Sequence, residues 1–224
     1  MEANSAYGQV TAPKGQTAGR PAMDYLFLGG VLALDLVNTE VIMRGKRYDL
    51  FASPEDVVVW WRQARTHYPN VEHVRVDSDT VIWNTQLLER IKRLRAAIRT
   101  LCTNMVGGQA FDVEALTTLN TILAMGYPAL EAASVQEMVA AYHPRRDDEQ
   151  GAILLPLALS ALHLFTQAER HRLHQCRNER CILFFYDTTK SATRQWCSLE
   201  CMNRARSLQH YRHIKEERIV TQGH

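Results

Sequence analysis

The sequence predicts an α+β protein: a mainly helical N-terminal domain with a few strands, then a small unit of knuckle, β-hairpin and helix. Three observations predict it. Apolar residues recur at helical spacing through the middle of the chain, framed by capping residues and glycines. A short strand-forming run, Ile182-Leu183-Phe184-Phe185-Tyr186, lies near the C-terminus. Four of the five cysteines bracket that run. The expected division is a disordered tail over 1–22, a domain over 23–173, the small unit over 174–218 and a second tail over 219–224.

The 224 residues suit one substantial domain and one small one. Apolar residues make up 46% of the chain, enough for a core and too many for a disordered polymer. No run approaches the ~20 apolar residues of a membrane helix. No basic stretch followed by an apolar core marks a signal peptide, so the expectation is a soluble, cytoplasmic protein without a membrane partner. The net charge of +2 is unevenly spread. From Glu169 onward eleven basic residues face six acidic ones, whereas the rest carries fifteen against eighteen. A tail at +5 beside a remainder at −3 favours a polyanionic partner for the tail, with a solvated basic helix as the alternative.

The elements follow in order. Residues 1–22 carry almost no large apolar side chains and cannot offset the entropy of ordering. Leu26–Thr39 is apolar with a polar end, and its period does not separate strand from helix. Met43–Phe51 reads as extended. Ser53-Pro54-Glu55-Asp56 starts a helix that carries Val57, Trp60, Trp61 and Ala64 and stops before Pro69. Ser78 or Asp79 opens the next helix, which carries Val81, Leu87, Leu88, Ile91, Leu94, Arg95, Ile98, Leu101 and Cys102 and ends at Gly107-Gly108. Asp112 caps a third helix, closed by Gly126. Residues 127–150 fit either a hairpin or a short helix, with a turn-like charge run from Arg145 to Glu149. Ile153–Leu173 reads as a fourth helix with Pro156 in its first turn, leading straight to the first cysteine.

The cysteines are spaced Cys176-x4-Cys181, fifteen residues, Cys197-x3-Cys201. Two tight pairs can close on one ion, since zinc takes four thiolates in a tetrahedron with Zn–S near 2.3 Å. In a reducing compartment such clustering points to metal rather than disulfides. Ile182–Tyr186 then forms one strand, Asp187–Ser191 a turn and Thr193–Trp196 the returning strand. Cys197 and Cys201 lie one turn apart at a helix start, where the dipole favours thiolate. This is a treble-clef-like zinc finger, and the metal supplies much of the folding free energy of so small a unit. The rival ligands are His171, His174, His210 and His213. Four thiolates close the coordination sphere, which argues for one structural Zn2+ and against catalysis there. Cys102 reads as a small core residue.

At these residues the chain resembles the CGNR zinc-finger family. The matching elements are Cys176-Arg177-Asn178-Glu179-Arg180-Cys181, Leu183 to Lys190, and Arg194-Gln195-Trp196-Cys197-Ser198. Cys201-Met202-Asn203-Arg204-Ala205 stands at the family's Cys-Gly-Asn-Arg signature. Met202 replaces its glycine, and the last cysteine pair is one residue shorter than usual. Ala33-Leu34-Asp35-Leu36-Val37-Asn38-Thr39 resembles the opening of the ABATE domain that usually precedes this finger. The resemblance implies a nucleic-acid-binding transcription regulator.

The final helix is expected over Ser198–Glu217, with Cys201, Ala205, Leu208 and either Tyr211 or Arg212 facing the zinc unit. A helix bearing Arg and Asn can enter the major groove, where Arg reads guanine and Asn adenine. Arg204, Arg206 and Arg212 on the helix, with Lys190 and Arg194 on the hairpin, are the expected contacts. Asn203 serves either base reading or local bracing. Asp35, Asn38, Arg44 and Trp60, with Thr39, Arg47 and Trp61, line either a pocket for a small-molecule effector or a buried polar network that fixes the fold. The expected function is a zinc-dependent DNA-binding regulator, with a homodimer compatible with that role. The alternative is an RNA-binding or protein-interaction module with a purely structural finger. No nucleophile-elbow, phosphate-loop or dinucleotide motif supports an enzyme.

Overall fold

The computed structural model describes residues 25–69, 81–145 and 150–222. The expected tail over 1–22 and the helix start at Ser78 or Asp79 lie outside them. The element order begins α1 (Leu32–Val37), β1 (Glu40–Met43), β2 (Lys46–Asp49) and α2 (Pro54–His67). It continues α3 (Thr85–Gly107), α4 (Val113–Leu123), β3 (Gly126–Ser134), β4 (Glu137–Pro144) and α5 (Gly151–Thr166). The small unit contributes β5 (Leu173–Gln175), β6 (Phe184–Tyr186) and α6 (Leu199–Gln222). Among the described residues the sheets are antiparallel pairs, β1–β2, β3–β4 and β5–β6. The α+β class stands.

Local chemistry explains most of the boundaries. The apolar run that period left undecided is the short helix α1, and every one of its six residues is buried. Asp56 reaches back from the first turn of α2 to accept the Ala52 and Ser53 N–H groups at 2.8 and 2.9 Å. The long helix begins later than its periodicity suggests. Asn84 caps α3 by accepting the Leu87 N–H at 2.9 Å, so Val81 packs from the preceding extended segment. Gly108 ends α3 in the left-handed region at φ +65°. Asp112 caps α4 as expected. Gly126 does not close that helix. It opens β3, where a Cβ would stand 2.5 Å from Leu155 Cδ2, so glycine lets the hairpin approach α5.

Residues 127–150 resolve as the β3–β4 hairpin within the described part. The fourth helix differs from its expectation at both ends. It starts at Gly151, which puts Pro156 in the second turn, and it stops at Thr166 rather than Leu173. A 3-10 turn at Arg170–Arg172 intervenes, and Leu173 already belongs to a strand. At the C-terminus α6 continues past Glu217 to Gln222, through most of the expected tail.

The main core joins α1, α2, α3, α4 and α5, with Trp60, Leu94, Ile98 and Leu154 among its buried residues. Leu173 and Phe184, from the two strands of the small unit, belong to this same core. A second cluster packs Val41 and Leu50 from around the β1–β2 hairpin against Leu183, Phe185 and three of the cysteines. The helical part and the small unit are therefore joined on two faces. Among the described residues no helix is long and apolar enough to cross a membrane.

Candidate metal centre and nucleic-acid interface

β5 and β6 place the first cysteine pair. They pair in register from Leu173↔Tyr186 to Gln175↔Phe184, and the segment between them forms the knuckle. Cys176 N–H donates to the Leu183 carbonyl at 2.9 Å, and Cys181 N–H to the Asn178 carbonyl at 2.8 Å. Asn178 is buried. Its side chain accepts the Arg180 N–H at 2.9 Å and donates to the Cys201 carbonyl at 2.9 Å, tying the knuckle to α6.

The returning segment is not the expected strand. β6 pairs with β5, and Thr193–Trp196 runs as loop. Asp187 gives the reason. Its buried carboxylate accepts the Thr189 N–H at 2.9 Å and the Arg194 N–H at 2.8 Å, which pins 187–194 as a closed loop. Burial alone would raise the Asp187 carboxyl, but hydrogen bonds from Thr189 and Arg194 outweigh it and hold the group below the usual range. Arg177 N–H donates to the Gln195 carbonyl at 3.0 Å and brings the loop back to the knuckle.

The second pair straddles the start of α6. Cys197 precedes the helix by two residues, and Cys201 sits in its first turn, where Ser198 Oγ accepts the Cys201 N–H at 3.2 Å. The ligand atoms of Cys176, Cys181, Cys197 and Cys201 all lie within 4.8 Å of one another. Cys181 and Cys197 Sγ are 3.7 Å apart, against about 3.8 Å between sulfurs on a tetrahedral zinc. The four thiols fit one structural Zn2+ with no position left for water.

Charge complements the sulfurs. Cys197 N–H points at Cys176 Sγ at 3.5 Å, and Arg204 Nη2 lies 3.9 Å from Cys201 Sγ. Hydrogen bonds from the Cys181, Cys197 and Cys201 thiols draw the Cys176 thiol well below its ordinary value. Among the described residues the histidines stand apart from this cluster. His171 lies 3.4 Å from Glu169, His174 packs against Phe185 at 5.5 Å between ring centroids, and His210 is exposed. The His213 side chain lies outside the described residues. Burial raises the Cys102 thiol to about 12, in keeping with a core role.

The five expected nucleic-acid contacts fall into different settings. Lys190 and Arg206 are exposed, and Arg204 is exposed while pairing with Glu200 at 3.6 Å. Arg212 makes a two-pronged pair with Glu179 of the knuckle at 2.8 and 2.5 Å. Arg194 is turned inward. Its guanidinium lies 4.6 Å over the Phe185 ring and donates to the Trp196 carbonyl at 2.9 Å and to the Cys197 carbonyl. Asn203 is exposed on the same helix.

The four residues expected around an effector sit in different settings. Asp35 is buried, accepts the Gly29 N–H at 2.7 Å and receives the Tyr68 hydroxyl. Burial pushes its carboxyl up to about 6 against the opposing pull of those hydrogen bonds. Asn38 bridges to β6, donating to the Phe184 carbonyl at 2.8 Å and accepting the Phe184 N–H at 2.9 Å. Arg44 occupies the exposed β1–β2 turn at φ +50°. Trp60 fills the core between Phe27 and Phe51, with Trp61 beside it.

Two arginines complete the polar joint, and their sequence signal was their place on the apolar face of α3. Buried Arg95 reaches Asp49 twice at 2.7 Å and Thr39 at 2.9 Å. Arg99 donates to Glu40 at 2.8 Å, to the Val37 carbonyl at 2.5 Å and, across the joint, to the Ile182 carbonyl at 3.0 Å.

Comparison with known proteins bears on both halves. A family model, ABATE, described as "Putative stress-induced transcription regulator", matches residues 30–168. The CGNR zinc finger model matches residues 172–213, in the order the geometry shows. No curated protein matches the chain. The chain belongs to the ABATE family and carries a CGNR zinc finger as its C-terminal unit.

Proposed function

We propose that this protein is a zinc-dependent DNA-binding transcription regulator that acts in the cytoplasm without catalysis of its own. The observation that carries the reading is the contrast between the two phenylalanines of β6 and the final helix. Phe184 and Phe185 are 1% and 0% exposed, so they offer no platform for stacked single-stranded bases. Asn203, Arg204 and Arg206 stand exposed on α6, in a chain segment of net positive charge. Duplex recognition through a helix fits that arrangement better than single-stranded RNA does.

Selection of bound sequences from random duplex DNA by zinc-loaded protein tests the proposal. Enrichment of a motif, with affinity that falls as salt rises, is the expected result. No enrichment together with salt-independent binding would leave the finger as a protein-interaction module.

A further inference from the structure

The cysteine centre is open on one side. A cavity of about 1150 Å3 lies between the β1–β2 hairpin and the finger, and Cys181, Cys197 and Cys201 border it. Leu28, Val41, Met43 and Leu183 contribute apolar wall and Arg180, Arg194, Glu200 and Arg204 a polar side, which admits a small polar uncharged solute. Of the four sulfur-bearing residues, Cys181 is half-buried and the other three are buried. The sulfurs nearest to bonding distance include that of Cys181, 3.7 Å from Cys197 Sγ. Both residues sit on loop backbone, Cys181 at the end of the knuckle and Cys197 ahead of α6. Cys201 is held by the helix, Cys176 is tied to β6 by its bond to the Leu183 carbonyl, and Cys181 is tied only within the knuckle, to the Asn178 carbonyl. Closing Cys181 onto Cys197 needs a loop movement of less than about 2 Å to reach the 2.05 Å disulfide bond.

We infer that Cys181 is an oxidation site for hydroperoxides, resolved by Cys197, so that the finger gives up its metal when oxidised. The Cys181 thiolate attacks one peroxide oxygen. The O–O bond breaks, hydroxide leaves and a sulfenic acid remains. The Cys197 thiolate then attacks the Cys181 sulfur, the S–S bond forms, the S–O bond breaks and a second hydroxide leaves. Two thiolates are oxidised and one peroxide is reduced by two electrons. Cys176 and Cys201 alone are too few ligands to retain the ion against a chelator. This inference rests on the metal centre alone and holds whatever the finger binds.

The test uses the zinc-loaded full chain and hydrogen peroxide. Metal release is followed with a coloured chelator, and disulfides are located by digestion and mass spectrometry. The expected result is one zinc released per chain together with a Cys181–Cys197 linkage. Cys181→His retains a zinc ligand but neither the sulfenic acid nor the disulfide, and should slow release by at least about tenfold. A first linkage between any other pair, or release from C181H at the unmutated rate, overturns the inference. Should C181H not load zinc, the linkage map of the unmutated protein decides alone.

Discussion

Asn38 and Phe184 lie 146 positions apart and exchange two hydrogen bonds, side-chain amide to backbone on both sides, at 2.8 and 2.9 Å. Both residues are buried, at 2% and 1% exposure. The pair fastens the end of α1 to the strand that follows the knuckle. Asn38→Ala removes both partners of a buried N–H and a buried carbonyl, each costing about 1–3 kcal/mol. The expected outcome is a loss of about 2–6 kcal/mol in denaturant unfolding. Tryptophan fluorescence and zinc release should show the same midpoint. Separate midpoints would show that the two halves unfold independently.

Arg95 supplies a second test. Its guanidinium side chain is 4% exposed and takes Asp49 as its nearer charge partner at 2.7 Å, with Glu40 at 3.9 Å. Asp49→Ala leaves that charge with only the Glu40 carboxylate 3.9 Å away, and the loss should approach, without reaching, the cost of an orphaned buried charge, about 3–5 kcal/mol. The double variant Asp49→Ala/Arg95→Met should recover much of the loss, because an apolar side chain of similar length replaces the orphaned cation. Thermal melts of the three variants measure this directly.

Asp35 sets a pH dependence. Its carboxyl rises from 3.8 to about 6 on folding, so the folded state holds the proton more tightly than the unfolded one. Its contribution is therefore fully present below about pH 4 and is lost as pH rises to about 6, a swing of about 3 kcal/mol. Acid weakens zinc binding in every variant, so the informative quantity is the difference between the stability curves of the unmutated protein and Asp35→Asn. That difference should change between pH 4 and 6 and stay level above pH 7.

Arg194 and Arg206 separate bracing from nucleic-acid contact. Arg194→Gln removes donors to the Trp196 and Cys197 carbonyls, so it should hasten zinc loss to a chelator by several-fold. Arg206→Glu should leave zinc retention unchanged and weaken duplex binding by about tenfold or more. Chelator kinetics and gel-shift titrations at fixed salt give both readouts.

The metal centre was legible in the sequence because four thiols at tight spacing admit few other uses, and the structure gathers them as expected. The helices were legible where capping residues and apolar spacing agreed, as at Asp56 and Asp112. The start of α3 was missed because Val81 keeps the helical spacing while Asn84 holds the better cap. The finger's strand partner was missed for a related reason. Thr193–Trp196 has strand character by itself, yet the buried Asp187 claims the backbone N–H groups of its loop, and Leu173–Gln175 takes the edge of β6. Arg194 carries the same lesson for the interface, since a guanidinium beside an aromatic strand can bond carbonyls of its own loop. The α3 start and the turn of Arg194 are settled by contacts two or three residues long, whereas the finger's strand pairing depends on Leu173–Gln175, distant in the chain, and on the buried Asp187.

Leu173 and Phe184 give the finger's two strands a share in the helical core. A finger excised near residue 172 would carry those side chains into water, and its β6 backbone would lose the amide that closes it. Transplanting this finger onto another scaffold would need a matching apolar bed and a carboxamide, not merely a linker. Homologous fingers lacking that bed would have to find another footing, and exchange of halves between relatives should succeed only where both sides of the seam travel together.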